Sequence, residues 1–320
     1  MRNTFSVGKA GFAVAIALIL SFSVLAQLSL RKALDNDGDG KADYTVFRIT
    51  DNTWYTLLSG GGYSFQHFGI ANEDFITPGD FDGDGKGDIA VWRDSTGVWY
   101  WLNSSNHTFS VVGFGQTGDE PVARDYDGDG KTDVAVVRRT NGNMIWYVLN
   151  STDGTFSATQ FGFASDFVAP GDYDGDGKFD LAVQRPGATP TSQAVFYAQL
   201  SSGGYQITAW GYGTDIIAPG DYDGDGKTDI AVIREGENPN DNLVWYILRS
   251  SDGNLMGLAF GITSSDINVQ NDYDGDGKTD VAIWRTTDRS FYVLNSTDGS
   301  MNVVPWGIST DFPVASYDSH

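Results

Sequence analysis

The chain has 320 residues, 13% of them aromatic, with no cysteine and a formal net charge of −22. Without cysteine there is no disulfide framework and no thiolate chemistry, and so negative a chain is repelled by nucleic acid. Forty glycines suit many short strands joined by tight turns.

At the N-terminus, Arg2 and Lys9 precede an apolar run from Ala10 to Leu25, and Val24-Leu25-Ala26 forms a small-residue cleavage site before Gln27. Residues 1–26 are expected to be a secretory signal and residues 27–320 the mature domain, placed outside the cell or on its surface. No stable membrane insertion is expected after cleavage. The alternative is an uncleaved anchor, because the run is near the lower length limit for crossing a bilayer.

An acidic nine-residue pattern then opens at Asp35 and recurs from Asp80, Asp125, Asp172, Asp221 and Asp272, with Asp at positions 1, 3, 5 and 9 and Lys at 7. Carboxylates so closely spaced repel one another, and glycines at positions 4 and 6 let the chain curl around a cation. The expected metal ligands of the first copy are Asp35, Asp37, Asp39, Lys41 and Asp43, the lysine acting through its main-chain carbonyl. The second copy supplies Asp80, Asp82, Asp84, Lys86 and Asp88, and the third Asp125, Asp127, Asp129, Lys131 and Asp133. In the fourth they are Asp172, Asp174, Asp176, Lys178 and Asp180, and in the fifth Asp221, Asp223, Asp225, Lys227 and Asp229. The sixth has Asp272, Asp274, Asp276, Lys278 and Asp280. Oxygen-only, many-ligand, flexible sites favour calcium over magnesium, up to six ions in all. These loops hold 24 of the 42 acidic residues, so the net charge is largely a ligand inventory.

The pattern matches an EF-hand only as far as position 9. Position 12, where an EF-hand needs a bidentate Glu, is Val136, and Val-Ala-Val-Val after Asp133 is a β-branched run that reads as a strand. Start-to-start spacings are 45, 45, 47, 49 and 51 residues, the size of one four-stranded propeller blade.

Each unit reads as four antiparallel strands. Strand A precedes the acidic loop and ends in Pro-Gly in several copies, as in Asp166-Phe-Val-Ala-Pro-Gly171. Strand B follows the loop and closes on an arginine: Arg48, Arg93, Arg138, Arg185, Arg234 or Arg285. Strand C carries an aromatic pair such as Trp146-Tyr147, and strand D ends in Phe-Gly or Trp-Gly, as at Phe114-Gly115 and Trp306-Gly307. Aromatics repeated in every unit are expected to pack between blades; a sugar-stacking platform is the alternative. Antiparallel pairing should bring each arginine to the Asp that opens strand A, giving a ring of ion pairs; the alternative is a basic ring that grips acidic or sulfated glycans.

Blade number is argued from the ends. Leu30 to Leu34 lacks the strand A pattern, whereas Asp311-Phe-Pro-Val-Ala-Ser316 reproduces it, so the C-terminal strand is expected to complete the first blade and pair Arg48 with Asp311. The expected fold is all-β, a six-bladed propeller closed by both termini; a seven-bladed ring is the alternative and would need a further set of strands B, C and D.

The run Asp-x-Asp-Gly-Asp-Gly-x-x-Asp before a strand, with Phe-Gly and Ala-Pro-Gly nearby, resembles the FG-GAP or VCBS repeats of bacterial secreted proteins and of the integrin α-chain propeller. The resemblance covers Asp35 to about Tyr317. It implies calcium between strands A and B and service in adhesion, in ligand binding or as an appendage to enzymes. This chain has an acidic loop in every blade and six blades where the integrin has seven, so the integrin ligand face does not carry over.

No nucleophile motif, phosphate-cradling loop or cofactor fingerprint occurs, and His67, His107 and His320 lack metal-ligand spacing. The expected function is a monomeric binding or adhesion module for an extracellular glycan or protein. The alternatives are a secreted polysaccharide lyase or hydrolase, or a purely structural surface scaffold. The B–C connection lengthens at Pro186-Gly-Ala-Thr-Pro-Thr-Ser-Gln193 and at Glu235-Gly-Glu-Asn-Pro-Asn-Asp-Asn242, which marks that end for partner recognition.

Overall fold

The computed structural model describes residues 33–315; the expected signal at residues 1–26 and the extreme C-terminal residues, His320 included, lie outside the described residues. Among the described residues the secondary structure is 24 strands, grouped in six four-stranded antiparallel sheets. These are the six blades of a β-propeller.

Blade 3 illustrates how sequence becomes sheet. Its strands A to D are Glu120–Pro121, Val134–Thr140, Asn143–Leu149 and Phe156–Phe163. Strand B opens on four consecutive buried residues, because neighbouring blades cover both of its faces. Strand C alternates, burying Met144, Trp146 and Val148. Strand D is outermost and mostly exposed.

The ring closes as the sequence implied. Blade 1 takes strands B, C and D from Tyr44–Arg48, Thr53–Leu57 and Tyr63–His67, and its strand A is Asp311–Pro313. The closing register pairs Val46 with Pro313, Phe47 with Phe312 and Arg48 with Asp311. Six blades therefore account for every described strand, and the seven-bladed alternative is not adopted.

One local expectation needs correction. Strand A is shorter than read, ending at Val168 in blade 4 and Ile217 in blade 5. The Ala-Pro-Gly that follows makes only single bridges, Gly171 to Asp180 and Gly220 to Asp229, because proline has no N–H to continue a ladder.

The strand C aromatic pair divides its labour. Trp99, Trp146 and Trp245 are fully buried, and the Trp146 indole N–H donates to the Phe161 carbonyl at 3.0 Å. The tyrosine beside each one is half-buried and lies under the strand B arginine; Arg48 sits 4.0 Å above the Tyr55 ring centre and Arg138 4.6 Å above Tyr147. Strand D ends explain the Phe-Gly motif. Gly115 has φ 106°, and a Cβ there would lie 3.2 Å from Val136 of the next blade, so glycine serves both the backbone and the close approach. The aromatic before it packs on the first strand D residue of the next blade, as Phe68 on Phe109 and Phe114 on Phe156; Trp306 on Tyr63 closes the circuit.

All six arginine–aspartate pairs form. Arg48 donates Nε and Nη2 to the two Asp311 oxygens at 2.8 and 3.0 Å, and the Asp311 carboxylate is wholly buried. This pair locks a closing strand with only three register partners. Asp311→Ala should lower unfolding free energy by about 2–4 kcal/mol, since it strands a guanidinium in a half-buried site. Arg249→Ala, at the exposed Arg249–Asp252 pair, should change it by about 0.5 kcal/mol or less. Urea midpoints decide; equal shifts for the two variants would show that closure does not depend on the buried pair.

Candidate metal centres

The six acidic loops share one internal architecture. In blade 3, Asp125 accepts the Gly128 N–H at 2.6 Å on one oxygen and the Gly130 N–H at 2.9 Å on the other. Gly128 and Gly130 have φ of 81° and 86°, which turns their amides inward, and the Lys178 stem lies where a Cβ on Gly128 would be. Asp133 accepts the Tyr126 and Ser151 N–H groups, both at 2.7 Å. Asp129 accepts the Lys131 N–H at 2.8 Å and the Ser151 hydroxyl at 2.9 Å. In blade 6, Gly275 and Gly277 donate to Asp272 at 2.6 and 2.9 Å, and Tyr273 N–H donates to Asp280 at 2.8 Å.

Carboxylate oxygens of Asp35, Asp37 and Asp39 converge within 4.8 Å of one another, as do those of Asp80, Asp82 and Asp88, of Asp125, Asp127 and Asp133, of Asp172, Asp174 and Asp180, and of Asp221, Asp223 and Asp225. The predicted acidic residues therefore do assemble, though the third member of a group alternates between positions 5 and 9. Positions 1 and 9 are buried in every loop. Burial pushes Asp133, Asp172, Asp180 and Asp229 up to about 7, and Asp43, Asp88, Asp125, Asp221 and Asp280 up to about 6. Backbone N–H groups oppose this rise, while neighbouring loop aspartates add to it. Such a set lacks positive charge and offers only oxygen donors, so it fits a hard divalent cation that would supply that charge.

Two contributions escaped the sequence reading. One is the serine after strand C: Ser59, Ser104, Ser151, Ser201, Ser250 and Ser296 each donate an N–H to the position 9 aspartate at 2.6 or 2.7 Å. Their repetition two residues after a Leu or Gln was the available signal. The other is the linkage between loops. Position 8 of each loop donates its N–H to the position 1 carbonyl of the preceding one: Gly87 to Asp35, Thr132 to Asp80, Phe179 to Asp125, Thr228 to Asp172, Thr279 to Asp221, and Ala42 to Asp272, all at 2.6–2.8 Å. Each position 7 lysine also lies over the position 4 glycine of the preceding loop, as Lys86 over Gly38 and Lys41 over Gly275. The six loops thus form one closed hydrogen-bonded circuit at one end of the propeller.

Fold and loops together define a six-bladed β-propeller with one acidic A–B turn per blade. A model described as FG-GAP-like repeat matches residues 125–183 and one described as FG-GAP repeat matches residues 214–247. The chain thus carries FG-GAP-type repeats in two stretches of its six-bladed β-propeller. No curated protein matches it in sequence. A solved structure of an AofleA mutant from Arthrobotrys oligospora, in which three arginines are replaced by alanine, is 10% identical with a TM-score of 0.52; the match covers 82% of this chain and 81% of that one. A Lactobacillus plantarum protein is 15% identical with a TM-score of 0.40, covering 67% and 66%. At such identity the first of these shares the fold alone. No helix among the described residues is long and apolar enough to cross a membrane.

The raised carboxylates give metal-free protein a definite pH response. Their folded values exceed the unfolded value near 4, so the folded state binds more protons than the unfolded state from about pH 4 to 7. Stability should then fall as pH rises through that window. In chelator the chain should melt higher at pH 5 than at pH 8, and millimolar calcium should shrink or invert the difference. Equal melting temperatures at the two pH values in chelator would contradict it.

Proposed function

We propose that this chain is a secreted, calcium-loaded propeller that acts as a binding or adhesion module, taking an extracellular glycan or protein on the face opposite the acidic loops. The observation that carries the reading is the contrast between the two ends. One end is occupied by six near-identical loops whose carboxylates and amides are engaged with one another. The other carries B–C connections of unequal length, the longest at residues 186–192 and 235–241, where an otherwise regular scaffold varies.

Calcium here is structural in role. The loop aspartates would hold it, with the position 7 carbonyls of Lys41, Lys86, Lys131, Lys178, Lys227 and Lys278 as further oxygen donors, and it would supply the positive charge that buried carboxylates lack. An ion bound only by the folded state adds about 2.7 kcal/mol per site at a hundred times its dissociation constant. Extracellular calcium is abundant enough to fill modest sites, which agrees with export of the chain.

The enzyme alternative draws no support from the arrangement of side chains. His67 and His107 are exposed, and the arginine–tyrosine pairs are spread one per blade with each arginine held by its aspartate.

Titration of the metal-free chain with CaCl2 should show uptake of up to six ions, and excess EDTA should lower the melting temperature by ten degrees or more. A glycan and matrix-protein array probed with and without chelator should give calcium-dependent binding. An unchanged melting temperature with no metal uptake would remove the calcium reading; no binding in either state beside turnover of a polysaccharide would remove the module reading.

A further inference from the structure

Where blade 6 meets blade 1, on the face opposite the acidic loops, a cleft of about 310 Å³ is walled by Arg48, Tyr55, Asp288, Arg289, Trp306 and Ile308. That volume lies at the small end of the range for small-molecule sites. The cleft is distinguished by Arg289, in the turn between strands Val281–Arg285 and Ser290–Leu294 of blade 6.

A shared hydrogen bond identifies the equivalent residue in other blades. Trp306 N–H donates to the Arg289 carbonyl at 3.0 Å, as Phe68 does to Asn52 at 2.9 Å and Phe114 to Gly97 at 2.8 Å. All three acceptors are left-handed, with φ of 58°, 55° and 65°. Asparagine and glycine tolerate that conformation, whereas arginine is strained in it. Backbone strain of this kind concentrates at ligand sites.

The side chain is unusual as well. Among the described residues Arg289 enters no ion pair, and its Nε is buried with no hydrogen-bond partner. Arg48, by contrast, is fully engaged with Asp311 and stacked on Tyr55. The Trp306 indole N–H is used by the Tyr55 carbonyl at 3.1 Å, which fixes the ring in the wall. Asp288 accepts the Tyr292 hydroxyl at 2.6 Å and keeps further acceptor capacity on the cleft.

We infer that this cleft binds a uronate, an acidic sugar residue whose carboxylate pairs with the Arg289 guanidinium while its C–H face lies against Trp306 or Tyr55. The inference rests on the binding-module reading and gives it a site and a ligand class. A planar carboxylate matches the guanidinium fork, the aromatic wall needs a carbon face that free phosphate or sulfate lacks, and Asp288 suits hydroxyl donors. A neutral sugar would offer the guanidinium no charged partner.

Calorimetric titration of the calcium-loaded chain with α-1,4-trigalacturonate, and with neutral α-1,4-galactotriose, tests this. The acidic sugar should bind at least tenfold more tightly. Arg289→Asn should weaken its binding tenfold or more and erase the preference, yet melt at or above the wild-type temperature because the turn strain is relieved. Arg289→Lys should recover part of the affinity. Equal affinity for both sugars, or undiminished trigalacturonate binding by folded Arg289→Asn, overturns the site and leaves the module reading standing. A drop in melting temperature on Arg289→Asn also overturns it, since the arginine would then be structural. No binding to either sugar while the array finds another ligand removes the uronate assignment alone, whereas a blank array removes the module reading too.

Discussion

The structure depends on holding mutually repelling carboxylates close together inside the protein. At each A–B turn two buried aspartates and their acidic neighbours are surrounded by inward-facing amides from the loop glycines, the position 2 residue and the serine after strand C. Burial raises these carboxyls and the neighbouring aspartates add to the rise, while the amide dipoles oppose it without cancelling it. A divalent cation would complete each turn. Because position 8 of one loop is bonded to position 1 of the preceding loop, order imposed at one turn bears directly on its neighbour. In a chain with no disulfide, this circuit is a means of keeping six small sheets in a ring.

The same repeat also solves the packing between blades by matching sizes. Before the loops of blades 4 and 5, Gly171 and Gly220 face Thr228 and Thr279 of the following blade, with virtual Cβ contacts of 2.7 Å. Where Leu34 stands at that place the following loop has Gly87 at position 8, and where Asn271 stands it has Ala42. Dense interiors leave little room for two large groups at one contact, and at these places a large residue meets a small one; Arg124 before the third loop, with Phe179 at position 8 of the fourth, departs from that pattern.

The two ends of the propeller consequently have different freedom. Loops and C–D turns at one end are bound into a single network, and a change there would propagate around the ring. At the other end each B–C turn is anchored by its arginine–aspartate pair, and in blades 1, 2 and 6 also by a hydrogen bond from the aromatic of the Phe-Gly or Trp-Gly motif. Length and composition can vary there at little structural cost, and a strained, unpaired arginine can be carried in one turn only.

The sequence by itself determined the blade count, the ligand candidates, the strand order and the closure of blade 1 by the segment that starts at Asp311, because all of these follow from a repeat with fixed internal offsets; the paired strand itself is Asp311–Pro313. Offsets of Asp and Arg also foretold the six ion pairs, since antiparallel register converts spacing into contact. Only the tertiary structure decided what lies between blades: the loop-to-loop hydrogen bonds, the lysines laid over preceding glycines, the division of each aromatic pair into a buried tryptophan or phenylalanine and a tyrosine under arginine, and the cleft beside Arg289. Apart from the tyrosine–arginine stack, which lies within one blade, these are contacts between residues of different sheets, and a pattern read along one repeat cannot tell which face of a blade meets its neighbour.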